Sequence, residues 1–270
     1  MDIIQSFLLG LIQGLTEFLP ISSSGHLALA EYFLGGKTDS GITFEVVVHF
    51  GTLCSIIIYY RNDLMKLIKA GFSFVKSPAN EVNNPDVKLI LYILVSMIPA
   101  LIVGFTLKDY VEGIFVNPVL VSGMLVVTGC ILFLTRFAKH NEESVSLGKS
   151  LIIGLAQAFA MIPGISRSGS TISTSLYLGV KREDAANFSF LMVIPVIVGA
   201  MLLQIKEMFE VGVNDAQLTG LLVGFFTAFI SGYYALKYLI IILKKKGFHY
   251  FAYYCWLVGI TGLVYFGFFV

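Results

Sequence analysis

Long apolar runs separated by short polar stretches dominate the pattern along the 270 residues of the chain. Six of these runs are long enough to cross the hydrocarbon core of a bilayer as α-helices, which takes roughly 17–25 residues. They lie at about 43–60, 88–107, 117–137, 187–204, 218–243 and 250–270. The pattern therefore predicts an all-α integral membrane protein.

Two further apolar segments, at about 1–40 and 150–184, are interrupted by proline and then by serine-rich turns. Pro20 ends the first helix, and Pro163 followed by glycine ends the second. A broken segment of this length that returns to the side it entered from is a re-entrant hairpin. Backbone without helical hydrogen bonds is allowed at that depth only where protein or a water-filled cavity satisfies it. Paired interrupted segments therefore indicate a site near the middle of the membrane.

The two interrupted segments are copies of one another. Residues 10–27 align with residues 154–171 at a constant offset of 144, so that Gln13 falls on Gln157. The aligned segments also share a pattern of small residues four apart, which lets helices approach closely in lipid. The chain is therefore predicted to consist of two homologous halves.

The basic residues indicate how the halves are oriented. Most of them follow the first and third predicted spans, precede the fourth, or lie between the last two. The positive-inside rule places these loops in the cytoplasm. Each half, residues 1–144 and residues 145–270, then contains a re-entrant hairpin and three spans. Because three is odd, the second half is inverted relative to the first, and the hairpin tips can meet from opposite sides.

Composition narrows the class of protein further. Hydrophobic residues make up 57% of the chain and charged residues 13%, and the mean hydropathy is +0.85. A soluble globule needs far more polar surface, so that class is excluded. The net charge of +1 lacks the basic footprint of a nucleic-acid binder.

Among the ionisable side chains of the apolar segments, five are candidates for function: Glu17, His26, Glu45, His49 and Arg167. Such residues are costly in hydrocarbon and are functional candidates by default. Three of them lie in the two hairpins. The other two are spaced i and i+4 on one helix face, where they either support the site or form a packing pair.

The serine-rich turn of each hairpin offers hydroxyls and backbone N–H groups at the start of a helix, which is an anion-binding arrangement. The second turn adds the guanidinium of Arg167, whose planar fork suits two phosphate oxygens. Two such turns facing each other would hold a doubly phosphorylated group. Alternatively, the serines only cap the helices that follow them. The predicted substrate-binding residues are Gln13, Ser22, Ser24, Gly25, Ser166, Ser168, Gly169 and Thr171.

The predicted catalytic residues are Glu17, Ser23, His26 and Arg167. Ser23 is the candidate nucleophile and His26, three residues later on the same helix face, its activating base. Glu17 would orient His26, act as a base, or hold a divalent cation. Direct attack by His26, or by water activated through Glu17, remains open.

Residues 13–27, QGLTEFLPISSSGHL, and residues 163–171, PGISRSGST, resemble the two signatures of the bacitracin-resistance undecaprenyl-diphosphatases. Residues 44–48, FEVVV, resemble the segment between them. The resemblance implies hydrolysis of undecaprenyl diphosphate to undecaprenyl phosphate and phosphate, which recycles a lipid carrier for cell-wall polymers and confers bacitracin resistance. It also implies a divalent cation, Mg²⁺ or Ca²⁺, and inverted repeats with two re-entrant hairpins.

The four predicted catalytic residues match essential positions of that family, but two other positions depart from it. Gln13 stands where the family has the first acidic residue of a pair, so acid–base work would fall more heavily on Glu17. His49 stands where relatives are expected to have glutamine.

The resulting expectation is a multi-pass protein of the plasma or inner membrane whose site opens to the extracellular or periplasmic side. Its substrate would be a polyprenyl diphosphate lipid, and a homodimer is left open. The alternative function is a transporter or flippase for a lipid phosphate or a small anion, because inverted repeats with broken helices are also a transporter architecture. A transporter needs anion-binding groups but no hydroxyl paired with a base.

Overall fold

The computed structural model describes residues 2–33, 41–106, 117–138, 142–211 and 215–269. These ranges are helical, with short turns between the helices and no β-strand, so the all-α prediction is confirmed. The helices are α1 (Ile3–Phe18), α2 (Ser23–Phe33), α3 (Gly41–Tyr59), α4 (Arg61–Lys76), α5 (Pro78–Glu81), α6 (Pro85–Thr106), α7 (Pro118–Leu134), α8 (Leu147–Phe159), α9 (Arg167–Tyr177), α10 (Arg182–Val211), α11 (Asp215–Lys244) and α12 (Phe251–Phe268).

Four helical segments of the described chain are long and apolar enough to cross a membrane. They are Pro85–Thr106, Pro118–Phe137, Gln217–Lys244 and Phe248–Phe268. The pair α3 and α4 adds a fifth if it is taken as one span, although its two helices are bent by 79°. Helix α10 contains the remaining predicted span, at about 187–204. The prediction of a helical protein with several membrane spans is therefore confirmed.

Two pairs of short helices occupy the predicted hairpins. Helices α1 and α2 contact each other across the break at Pro20, and α8 and α9 do so across the break at Pro163. Helix α1 has 16 residues and α8 has 13, both short of the roughly 17–25 residues that a span requires. Residues 34–40 of the first predicted hairpin lie outside the described residues. The inverted orientation of the two halves stays a prediction.

Each hairpin packs on a long helix of the other half. Helix α1 lies along α11, and α8 lies along α6. At Gly10 the contact is so close that an added Cβ would lie 2.6 Å from the carbonyl oxygen of Gly224. Gly154, the copy of Gly10, lies equally tightly against the backbone of Ser96. Small residues thus let the helices approach closely, as the repeated sequence pattern predicts.

The end of α1 is fixed by aromatic packing. Phe18 is 1% exposed, and its ring meets Phe190 of α10 edge to face with 5.9 Å between the centroids. Burying an aromatic ring of this size contributes on the order of 2–3 kcal/mol. Because Phe18 follows Glu17 directly, this packing also fixes the position of the Glu17 backbone.

Candidate functional site

The breaks of the two hairpins meet in the centre of the molecule. The Ser22 hydroxyl donates to the carbonyl of Ile165, and the Ser168 hydroxyl donates to the carbonyl of Leu19, both at 3.4 Å. Polar backbone exposed by each break is therefore satisfied by the other hairpin, as membrane depth requires. The two breaks are thus in contact, while their entry from opposite sides of the membrane stays a prediction.

The carboxylate of Glu17 is the centre of this contact, with its side chain only 3% exposed. Its Oε1 accepts a hydrogen bond from Nη2 of Arg167, which forms an ion pair between the two halves. Its Oε2 accepts from the Ser23 hydroxyl at 2.6 Å and from the Gln13 amide at 3.0 Å. The Nε2 atom of His49 lies 4.0 Å from the same oxygen. A buried charge needs partners to be tolerated, and Arg167, Ser23 and Gln13 supply them.

The contact between Ser23 and Glu17 places a hydroxyl against a carboxylate, a geometry in which a base can take the proton of a nucleophile. A weak hydroxyl nucleophile becomes active when a neighbouring group can take its proton. In this structure the group in that place is the Glu17 carboxylate. The guanidinium of Arg167, 26% exposed, reaches the same carboxylate from the second hairpin and leaves part of its surface free.

His26 does not pair with Ser23, and the expectation that it activates this hydroxyl is corrected here. Its Nδ1 lies 2.8 Å from the Ser22 carbonyl, so Nδ1 carries the hydrogen and donates it. In the neutral imidazole its Nε2 then accepts from the Tyr254 hydroxyl, 2.9 Å away. The bond to the carbonyl four residues earlier folds the imidazole back along α2. The catalytic role of His26 stays a prediction.

Two of the predicted substrate-binding serines cap helices. The hydroxyl of Ser22 accepts from the Gly25 N–H at 3.2 Å, and that of Ser166 accepts from the Gly169 N–H at 3.0 Å. Both are side-chain oxygens that satisfy a donor in the first helical turn. The capping alternative therefore applies to these two hydroxyls, although both serines also border the cavity described below.

Other predicted substrate-binding residues stiffen the turns. The hydroxyls of Ser24 and Ser168 lie 3.3 Å from those of the two capping serines. The Thr171 hydroxyl is buried and lies 2.5 Å from that of Ser189, which ties α9 to α10. Gly25 lies so close to the second hairpin that a Cβ would be 3.1 Å from the Cα of Gly164.

A cavity of about 710 Å³ adjoins these groups. Polar side chains form one part of its wall: Glu17, Ser22, Ser23, Ser24, Glu45, His49, Gln157, Ser166 and Arg167. Apolar side chains form another, among them Met97, Leu101, Phe105, Met161, Val196 and Leu202. A cavity of this size with a few convergent polar groups is typical of a small-molecule site.

Several predicted site residues lie outside that wall. Gln13 is fully buried behind Glu17, so it holds the carboxylate in place and does not face the cavity. Gly25, Ser168, Gly169, Thr171 and His26 are likewise absent from the lining. In this structure these residues do not border the cavity, and their contact with substrate stays a prediction.

Both members of the Glu45–His49 pair line the cavity. The Nδ1 atom of His49 donates to the Glu45 carbonyl at 2.7 Å, since a carbonyl can only accept. In the neutral imidazole, Nε2 is then an unprotonated acceptor that faces Glu17. The structure therefore places Glu45 and His49 at the cavity. Of the two alternatives for this pair, this position agrees with a role in supporting the site.

Two residues at the site were missed by the sequence analysis as candidates. Gln157 lines the cavity, and its alignment with Gln13 was the available signal. Tyr254 contacts His26 from α12, where it is one aromatic residue in an apolar run. That context gives no sequence signal for a polar role.

The described residues contain no group of three or more His, Cys, Asp or Glu side chains that could hold a metal ion. Both carboxylate oxygens of Glu17 accept from protein donors, one of them a cationic guanidinium. Three protein donors thus occupy most of the acceptor sites of the Glu17 carboxylate. The divalent cation and the metal role of Glu17 implied by the resemblance stay predictions.

Residues 6–261 match the family described as "Bacitracin resistance protein BacA". The chain belongs to this family. A relative named undecaprenyl-diphosphatase from Salinibacter ruber is 42% identical over 264 residues, which cover 96% of this chain and 97% of the relative. A protein of the same name from Halothermothrix orenii is 42% identical over 272 residues and the full length of both chains. The resemblance inferred from the motifs is confirmed.

Proposed function

We propose that the chain is an undecaprenyl-diphosphatase, which hydrolyses undecaprenyl diphosphate to undecaprenyl phosphate and inorganic phosphate. The proposal rests on a cavity whose wall is formed in one part by polar and in another part by apolar side chains. A carboxylate, a hydroxyl and a guanidinium meet at its polar part, where Glu17, Ser23 and Arg167 are in direct contact. The names of full-length relatives at about 40% identity support the same reaction.

In this mechanism Arg167 positions the diphosphate and stabilises the charge on the transferring phosphoryl group. Phosphoryl transfer depends mostly on such positioning and electrostatic stabilisation. Guanidinium has five N–H donors, so the ion pair with Glu17 leaves donors for phosphate oxygens. Arg167 thereby contacts both the substrate and the Glu17 carboxylate, which accepts the proton of Ser23.

The Ser23 oxygen attacks the terminal phosphorus while its proton passes to the Glu17 carboxylate. The bond from that phosphorus to the bridging oxygen breaks, and undecaprenyl phosphate leaves. Water then attacks the phosphoserine, and inorganic phosphate leaves as the Ser23 oxygen regains a proton.

The apolar wall is suited to the prenyl chain of the substrate. Leu101, Phe105 and Leu202 line the cavity and are also 47%, 76% and 65% exposed on the outside of the bundle. In a membrane this surface faces acyl chains, so the cavity can admit a lipid from the side. We place the protein in the cell membrane, with its site open to the extracellular or periplasmic side. There it returns a lipid carrier to cell-wall synthesis and sustains bacitracin resistance. A homodimer stays a prediction.

Phosphate release from a polyprenyl diphosphate by detergent-purified protein tests the proposal, measured with and without EDTA. The expected result is release by the wild type and none by Ser23→Ala at the same concentration. Size-exclusion chromatography and a thermal unfolding transition serve as the folding controls. If the folded wild type released no phosphate both with and without EDTA, the proposal would be refuted. Release by Ser23→Ala at a rate near that of the wild type would refute the assignment of the nucleophile.

A further inference from the structure

Gln157 is a buried polar side chain that the mechanism above does not use. It lies on α8, is 2% exposed and borders the same cavity as Arg167. Neither its amide nitrogen nor its amide oxygen has a hydrogen-bond partner in the described structure. Buried amides without partners are destabilising and rare, so each one requires an explanation.

The internal repeat supplies that explanation. Gln13, the copy of Gln157, donates its amide N–H to Glu17, four residues later on the same helix. Four residues after Gln157 stands Met161, which offers no carboxylate and itself lines the cavity. The amide nitrogen of Gln157 therefore lacks the acceptor that the amide nitrogen of Gln13 has, although the amide oxygen of Gln13 is also without a partner in the described structure. Gln157 borders the cavity.

We propose that Gln157 binds the diphosphate of the substrate, its Nε2 group donating to a phosphate oxygen next to those held by Arg167. The inference rests on the proposed function, because it assigns a further binding residue to the same site. Phosphate oxygens only accept, and a hydrogen bond to a charged acceptor is stronger than one between neutral groups. Both residues belong to one hairpin, so their spacing is fixed by the contact between α8 and α9.

Two variants and one control test the assignment. Gln157→Met keeps the length of the side chain but removes both polar atoms, and Gln157→Glu places a carboxylate against the phosphate. Ser173→Ala is the matched control: Ser173 is also buried with an unpartnered hydroxyl, but it lies outside the cavity lining. For each variant we would measure kcat and KM for phosphate release, the Kd of methylenediphosphonate, and the apparent Tm.

Loss of a hydrogen bond to a charged group predicts that Gln157→Met raises KM and the methylenediphosphonate Kd about 10- to 100-fold. We expect a larger increase for Gln157→Glu and none for Ser173→Ala. The Tm of Gln157→Met should equal or exceed that of the wild type, because an unpartnered buried amide is replaced by an apolar side chain. If the amide of Gln157 had a structural role, Gln157→Met would have a lower Tm than the wild type.

Unchanged KM and diphosphonate affinity in Gln157→Met would overturn the inference while leaving the proposed function intact. Weaker binding accompanied by a lower Tm would also overturn it, since that combination indicates a structural role. Wild type that releases no phosphate would refute the proposed function instead. The diphosphonate measurement would still decide whether Gln157 binds the anion.

Discussion

Removing the guanidinium of the Glu17–Arg167 pair should destabilise the fold as well as stop the reaction. In Arg167→Met the Glu17 carboxylate, 3% exposed, loses its cationic hydrogen-bond partner. Breaking a buried ion pair in this way costs about 3–5 kcal/mol. Glu17 keeps its hydrogen bonds from Ser23 and Gln13, and Arg167 is 26% exposed. We therefore expect the lower end, about 3 kcal/mol.

A double-mutant cycle separates this effect from other consequences of the substitution. Glu17→Gln combined with Arg167→Met leaves no buried charge, so the double variant should be more stable than Arg167→Met alone. Thermal unfolding in detergent should show Arg167→Met about 6–12 °C below the wild type, at roughly 2–4 °C per kcal/mol. Phosphate release should be absent in both single variants and in the double variant.

Additive stability losses in the cycle would show that the two side chains are not coupled and would refute the reasoning from the ion pair. Arg167→Lys is a further control, since it keeps the charge but loses the planar fork. We expect it to retain more stability than Arg167→Met while losing nearly as much activity. Near-wild-type activity in Arg167→Lys would reduce Arg167 to a structural anchor.

Substitutions at Ser23, Tyr254 and Gly10 test other parts of the structure. Ser23→Ala should lower kcat at least about 10³-fold and abolish an acid-stable phosphoenzyme, whereas an acid-labile phosphoenzyme formed on His26 would contradict that assignment. Tyr254→Phe removes one neutral hydrogen bond, to His26, and should lower kcat/KM about 2- to 10-fold. If Tyr254→Phe lowered kcat/KM further in a protein that already carries His26→Ala, Tyr254 would act through a residue other than His26. Gly10→Ala should destabilise by about 1–3 kcal/mol through overpacking, whereas Gly148→Ala, which has open space around it, should be neutral or stabilising in a thermal melt.

The proximity of a first-hairpin carboxylate and a second-hairpin guanidinium could be predicted because each residue carries its own signal, although their ion pair was not predicted. A charge in an apolar segment is costly enough to indicate function, and two copies of a broken helix indicate where such charges meet. Glu17 and Arg167 could therefore be placed together from the sequence. Ser23 was selected as the partner of His26, a pairing that the structure does not show, and as a match to an essential position of the family.

The orientation of His26 could not be predicted in the same way. It depends on the first turn of α2, where Ser22 has a φ of 72°. Residues other than glycine rarely adopt this left-handed conformation, and nothing in a run of three serines marks which one does. Helical spacing alone places His26 on the face of Ser23, whereas the folded turn directs the imidazole to the hydroxyl of Tyr254, a residue 228 positions away.

Ser23 and Arg167 occupy the same position of the two copies, and Glu17 and Met161 share another. An assembly of two copies of residues 1–144 would therefore bring two carboxylates and two hydroxyls to the centre, with no guanidinium at these positions. Two copies of residues 145–270 would bring two guanidiniums against two methionines. Either assembly would bury like charges face to face. Only one copy of each half gives a centre in which the Glu17 carboxylate is balanced by the Arg167 guanidinium.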